Sequence, residues 1–180
     1  YFTADDRILM QVATPEEAVR LGADALAVAI TIRGPREGES LKALADQVAA
    51  AARFDLPVIA HIYPRDYSGP TPRIVFHPEQ IQWAVRCGIE CGVDVIKVGY
   101  TGDVASYRQI IQACPVPVIA AGGPRTGTLH EALTAMHEAV QAGARGATIG
   151  RNIWGVADPA AALRAFQKVI LDGVAPTAAA

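Results

Sequence analysis

An α/β chain built on a parallel sheet is the fold class this sequence predicts. Five apolar runs of strand length occur at residues 25–32, 57–63, 93–100, 116–121 and 146–153, four of them rich in Val and Ile. Longer stretches with helical spacing alternate with them, at 15–21, 40–54, 78–91, 105–113 and 128–142. Strands apolar on both faces and joined by helices make a doubly wound sheet or a (β/α)8 barrel, and both put function at the C-terminal strand ends. Five units in 180 residues favour, on arithmetic alone, the open flavodoxin-like sheet.

The local signals agree with this order. Thr14 before Pro15 is an N-cap and first-turn pair, with Glu16 and Glu17 favouring the positive helix end. Gly22, Gly92 and Gly143 each follow a helical pattern and precede a strand, as a C-terminal cap should. Three segments repeat that grammar: Leu21-Gly22-Ala23-Asp24-Ala25, Cys91-Gly92-Val93-Asp94-Val95 and Ala142-Gly143-Ala144-Arg145-Gly146. Pro-Val-Ile-Ala recurs at 57–60 and 117–120, so the chain reads as weak repetition of a βα unit with no solenoid period. A shorter apolar stretch at 8–12 reads as the remnant of one more strand.

Composition bounds the partners. The length suits one domain, taken as 1–180, and no apolar run reaches the roughly 18 residues of a membrane span. Sixteen basic against eighteen acidic residues give a net charge of -2, which lacks the positive field that nucleic acid or an anionic membrane selects. Cys87, Cys91 and Cys114 form no C-x-x-C pair and suit reduced thiols in the cytoplasm. No signal-type opening is present, and Tyr1 in place of Met is compatible with a processed or truncated product.

The chemistry gathers at the strand ends. In Asp94-Val95-Ile96-Lys97-Val98-Gly99-Tyr100, alternation sends Val95, Lys97 and Gly99 to one face. A lysine in a strand is solvated by a cavity, paired, or kept partly neutral by desolvation, and the last is the nucleophile of Schiff-base chemistry. On the residues alone, a lysine snorkelling to Asp94 or Asp103 stands beside the catalytic reading. The other lysines, Lys42 and Lys168, lie in amphipathic helical stretches and read as solvated. Alternation likewise groups Ile59, His61 and Tyr63, with Pro64 expected to end the strand. A tyrosine there can pass a proton to a hydroxyl, while a packed core ring and a polar spacer remain the alternative for this pair.

Two glycine-bearing ends complete the set. Ala121-Gly122-Gly123-Pro124 and Ile149-Gly150-Arg151-Asn152 combine bare backbone with a planar bidentate donor, a combination suited to a phosphorylated ligand. The spacings of dinucleotide and P-loop motifs are missing, and His61 and His77 lack zinc-ligand spacing. The loop Arg33-Gly34-Pro35-Arg36-Glu37-Gly38 is charged and reads as solvated, with substrate contact left open by its place.

Five stretches, taken in order, resemble one known family. They are Thr14-Pro15-Glu16-Glu17-Ala18-Val19, Tyr63-Pro64-Arg65, Ile96-Lys97-Val98-Gly99-Tyr100-Thr101-Gly102-Asp103, Val118-Ile119-Ala120-Ala121-Gly122-Gly123-Pro124 and Gly150-Arg151-Asn152-Ile153-Trp154. The chain resembles the archaeal-type class I fructose-bisphosphate aldolases and the related 2-amino-3,7-dideoxy-D-threo-hept-6-ulosonate synthases. The resemblance implies a (β/α)8 barrel of the TIM type, of which this chain holds about the last five βα units. It implies that Lys97 forms a Schiff base and Tyr63 moves a proton. It also makes Gly122, Gly123, Gly150 and Arg151 the substrate-phosphate site, with His61 and Arg65 as further substrate-binding candidates; His61 stands where relatives carry Trp or Met. The implied reaction is cleavage or formation of a C–C bond in a sugar phosphate, without a cofactor or metal, because the iminium supplies the positive charge. The rivals are a transaldolase-like synthase and a non-catalytic, sugar-phosphate-binding partial barrel.

Family members carry a further N-terminal portion with three strands and an acidic residue at the first strand's end, and a barrel typically needs about 250 residues. The first strand here is therefore expected to present an unpaired edge. Additional N-terminal strands, or a second copy in a homo-oligomer, would cover it.

Overall fold

The computed structural model describes residues 11–179. The expected strand remnant at 8–12 falls mainly outside them, and Gln11 and Val12 are irregular. The helices open on side chains that satisfy their free N–H groups. Thr14 and Glu17 form a capping box on α1 (Pro15–Arg20), and Thr128 and Glu131 form another on α5 (Leu129–Gln141). Asp103 caps α4 (Val104–Gln112), and Asp158 caps α7 (Pro159–Leu171).

The three repeated segments end their helices in one way. Gly22, Gly92 and Gly143 have φ of 79°, 75° and 115°. Each donates its N–H within the last turn, to Val19, Ile89 and Val140, while the next residue's N–H reaches back to Ala18, Gly88 and Ala139. This Schellman pairing needs left-handed backbone, which explains the glycine, and it drops the chain directly into the following strand.

Between these caps run β1 (Leu26–Ile32), α2 (Glu37–Ala51), a 3-10 turn at Ala52–Phe54, β2 (Val58–Asp66) and β3 (Arg73–Ile74). Then follow α3 (Pro78–Glu90), β4 (Val95–Gly99), β5 (Val118–Ala121), β6 (Ala147–Thr148), α6 (Arg151–Trp154) and α8 (Pro176–Ala179). The sheet order is β1-β2-β4-β5-β6, all parallel, with β3 pairing antiparallel to the end of β2. This sequential order lacks the reversal that defines the doubly wound sheet, so the flavodoxin-like expectation is corrected.

The two faces differ. Val58, Ala60, Ile62, Ile96, Val98, Val118 and Ala120 are at most 1% exposed, packed in one cluster with Leu44 of α2, Ile81 of α3, Leu133 of α5 and Phe166 of α7. On the opposite face Ile59, His61, Tyr63, Val95, Lys97 and Ile119 are all half-buried. Strands expected to bury both faces thus bury one.

Three further boundaries differ from expectation. Pro64 does not end its strand: β2 continues through Arg65 and Asp66, which pair with Ile74 and Arg73, because the edge it presents to β3 tolerates a residue without N–H. The run 146–153 is a strand only at Ala147–Thr148, since Gly150 turns the chain and Arg151 starts a helical turn. Helix α7 lies beyond the helices delimited from spacing, although Asp158-Pro159 is the same start signal as Thr14-Pro15. Among the described residues no helix is long and apolar enough to cross a membrane.

Candidate active site

The site begins with the pairing of β2 and β4. Asp94 fixes it: its carboxylate accepts the Val58 N–H at 2.8 Å while its own N–H donates to the Val58 carbonyl at 3.0 Å. With that register locked, His61 falls directly opposite Lys97 on the half-exposed face. On one side Ala29 of β1 aligns with His61, and on the other Ile119 of β5 aligns with Lys97. Lys97 therefore lies in a layer of apolar neighbours and one imidazole.

The snorkelling alternative for Lys97 loses its partners. Asp94 is held by Val58, and Asp103 accepts the Ser106 N–H at 2.7 Å as the cap of α4. None of the ion pairs among the described residues includes Lys97. Burial lowers the Lys97 pKa below the ordinary lysine value, favouring the neutral amine. His61 is pushed down to about 4, by burial first and by the Lys97 charge second, so its ring is neutral at physiological pH.

Tyr63 lies two residues beyond His61 on the same face, nearer the strand end. Burial raises its pKa and the Arg151 charge opposes that rise, which brings the guanidinium into the same site. Arg151 Nη2 donates to the Gly123 carbonyl at 2.8 Å, tying the first residue of α6 to the loop after β5. Gly123 has a φ of 68° and room above its Cα. At Gly122, by contrast, a Cβ would come within 2.9 Å of the Ile149 Cα, and its N–H donates to the Thr148 carbonyl. Gly122 thus shapes the loop by close backbone approach, with its donor already engaged. Gly150 precedes Arg151 as the N-cap of α6, under the ring of Trp154.

Two contributors escaped the sequence reading. Asn152, only 5% exposed, donates from Nδ2 to the Gly122 and Pro124 carbonyls and accepts the Thr126 N–H at 3.0 Å. It clamps the whole loop that carries Gly123, and a polar residue after Gly-Arg was the available hint. Phe76, before α3, covers Gly99 on the Lys97 face; nothing local in the sequence marks that contact. Arg65, two residues beyond Tyr63 on β2, is buried and lines a cavity of about 400 Å³ beside β1, with Gln47 and Tyr67. Arg33 turns onto the Trp83 ring at 4.5 Å and donates to Gln80, linking the β1 loop to α3 instead of reaching the site.

Comparison with known proteins adds a decisive observation: residues 1–155 match the model of the DeoC/LacD family aldolases. The chain belongs to that aldolase family. The 2-amino-3,7-dideoxy-D-threo-hept-6-ulosonate synthase of Halobacterium salinarum is 38% identical over 167 residues, covering 92% of this chain and 61% of that protein. The class 1 fructose-bisphosphate aldolase of Thermoproteus tenax is 35% identical over 159 residues, covering 88% and 59%. An archaeal fructose-1,6-bisphosphate aldolase, solved with its catalytic Lys covalently bound to the carbinolamine intermediate of the substrate, superposes with a TM-score of 0.84. It is 31% identical, and the match covers 91% of this chain and 64% of that one. The chain thus spans about three-fifths of the length of these aldolase relatives.

Proposed function

We propose that the chain carries the chemistry of a Schiff-base, class I aldolase acting on a phosphorylated ketose such as fructose 1,6-bisphosphate. The observation that carries this reading is Lys97: a desolvated amine without a carboxylate partner among the described residues, on the open face of the sheet beside two titratable rings. In this mechanism Lys97 Nζ attacks the substrate ketone, and the protonated imine draws in the electron pair released when the neighbouring C–C bond breaks. Tyr63 takes the proton from the hydroxyl that becomes the aldehyde and returns it in the reverse direction. Arg151, together with Gly123 and Gly150, holds the phosphate and aligns the bond, while Gly122 and Asn152 keep that loop in place.

The five parallel strands are, in the same proposal, the last five staves of a (β/α)8 barrel, and residues 1–180 form its C-terminal portion. Sequential strand order, helices packed on one face, and, among the described residues, β1 paired only to β2 support this. The half-buried Lys97 face would then be the barrel interior, and further strands or a second copy would close it. The unbridged thiols suit a reducing, cytoplasmic setting.

Borohydride trapping with dihydroxyacetone phosphate, followed by peptide mapping, tests the mechanism: label on Lys97 supports it, and folded protein left unlabelled there favours a sugar-phosphate-binding module. The Halobacterium salinarum relative also favours a second reading, a transaldolase-like synthase. Turnover of fructose 1,6-bisphosphate that depends on an added acceptor aldehyde would select the synthase, and turnover without one the aldolase.

A further inference from the structure

We propose that His61 is a catalytic proton relay for imine formation at Lys97, a role that rests on the Schiff-base reading above. The β2–β4 register sets the two residues side by side on the open face, at the roughly 4.8 Å spacing of paired strands. Tyr63 sits about 7 Å further along its strand, one layer nearer the strand ends and the reacting hydroxyl. The nitrogen and the hydroxyl are thus served by different rings.

Converting an ammonium and a ketone into an iminium and water requires protons to leave nitrogen and arrive at oxygen. The Lys97 ammonium passes one proton to the imidazole, and the freed Nζ pair forms a bond to the ketone carbon while the carbonyl π pair moves onto oxygen. The oxygen takes one proton from the added nitrogen and a second from the imidazolium. It leaves as water when the nitrogen lone pair closes the C=N bond, and the imidazole is regenerated neutral.

The surroundings suit this cycle. The charged and titratable groups facing His61 among the described residues are Lys97 from β4 and, along β2, Tyr63 with Arg151 beyond it; β1 contributes Ala29 in register and β5 contributes Ile119 beyond Lys97. Burial and the Lys97 charge keep the resting imidazole neutral, so a ring-nitrogen lone pair is present to receive the proton. Part of that depression vanishes as the ammonium gives up its proton, and the imidazolium that forms is a strong acid toward the carbinolamine hydroxyl. Tyr63 stands one layer further along β2, away from Nζ.

The test measures the rate of borohydride-trapped labelling of Lys97 by dihydroxyacetone phosphate in wild type, His61→Ala and His61→Gln, each checked for folding by circular dichroism. Both variants are expected to label Lys97 about tenfold or more slowly, with the final extent unchanged, and added imidazole is expected to restore speed to His61→Ala. The glutamine variant keeps the comparison available if the alanine variant loses its fold. Wild-type labelling with both variants equally fast, or slow variants that ignore imidazole, would overturn the relay while leaving the Schiff base standing. Failure of wild type itself to label Lys97 overturns both.

Discussion

Phe76 rests on the bare backbone of Gly99: a Cβ at Gly99 would lie 2.1 Å from the Phe76 Cδ1. Gly99 shares the Lys97 face at the end of β4, so this contact fixes an aromatic wall beside the amine. Gly99→Ala should destabilise the protein by about 1–3 kcal/mol through overpacking. Phe76→Ala in the same chain should recover part of that loss, a coupling that a urea-denaturation double-mutant cycle measures.

Lys97→Met should abolish borohydride trapping and raise stability by no more than about 1 kcal/mol, because water on the open side already screens the ammonium. The pH dependence has a definite sign. With the folded pKa lowered from 10.5, the unfolded chain binds the extra proton in the window just below that value, so wild-type stability rises with pH there. The methionine variant should lack that rise in denaturation curves collected across the window. Trapping by wild type should also increase with pH as the neutral amine accumulates.

Arg151→Ala should weaken binding of phosphorylated ligands by about tenfold or more and leave unphosphorylated analogues little changed, measured by calorimetric titration. Equal losses for the two ligand classes would refute the phosphate assignment. Since the guanidinium opposes the rise in the Tyr63 pKa, its removal should move the tyrosine ionisation to still higher pH, read by ultraviolet titration.

Asn152→Ala removes two donated bonds and two accepted bonds from the loop of Gly122 to Thr126. A loss of about 1 kcal/mol or more in stability is expected, since part-buried carbonyls and an N–H lose their partners. Hydrogen exchange at Thr126 should accelerate in step, localising the effect to that loop.

Tyr107 is fully buried, edge-on to Tyr100 at 5.3 Å, and its hydroxyl has no hydrogen-bond partner among the described residues. Tyr107→Phe should therefore be neutral or stabilising by about 1 kcal/mol, seen as an unchanged or higher melting temperature. A clear destabilisation would mean that the hydroxyl is satisfied in solution.

How much of this was legible depended on range. Thr14, Glu17 and the three helix-ending glycines act on groups within a few residues, and their structural roles follow from the sequence pattern. The run 146–153 misled because Ala147, Thr148, Ile149 and Ile153 suited a strand, whereas Asn152 is drawn away by carbonyls about 28 residues earlier in the chain. Arg65 shows the same limit: the sequence groups it with Tyr63 on β2, and only the tertiary structure shows that it is buried and lines a cavity beside β1.

By itself the sequence determined the alternation of strands and helices, their caps, and the placing of Lys97 on one strand face and of His61 with Tyr63 on another, because period two and period 3.6 are properties of the local chain. Only the tertiary structure decided that those two faces are the same open face, that His61 stands level with Lys97, and that the charge of Arg151 is felt at Tyr63. Inter-strand register is set by long-range pairing such as Asp94 with Val58 and by helices packing on the far side, interactions that no short window of residues encodes.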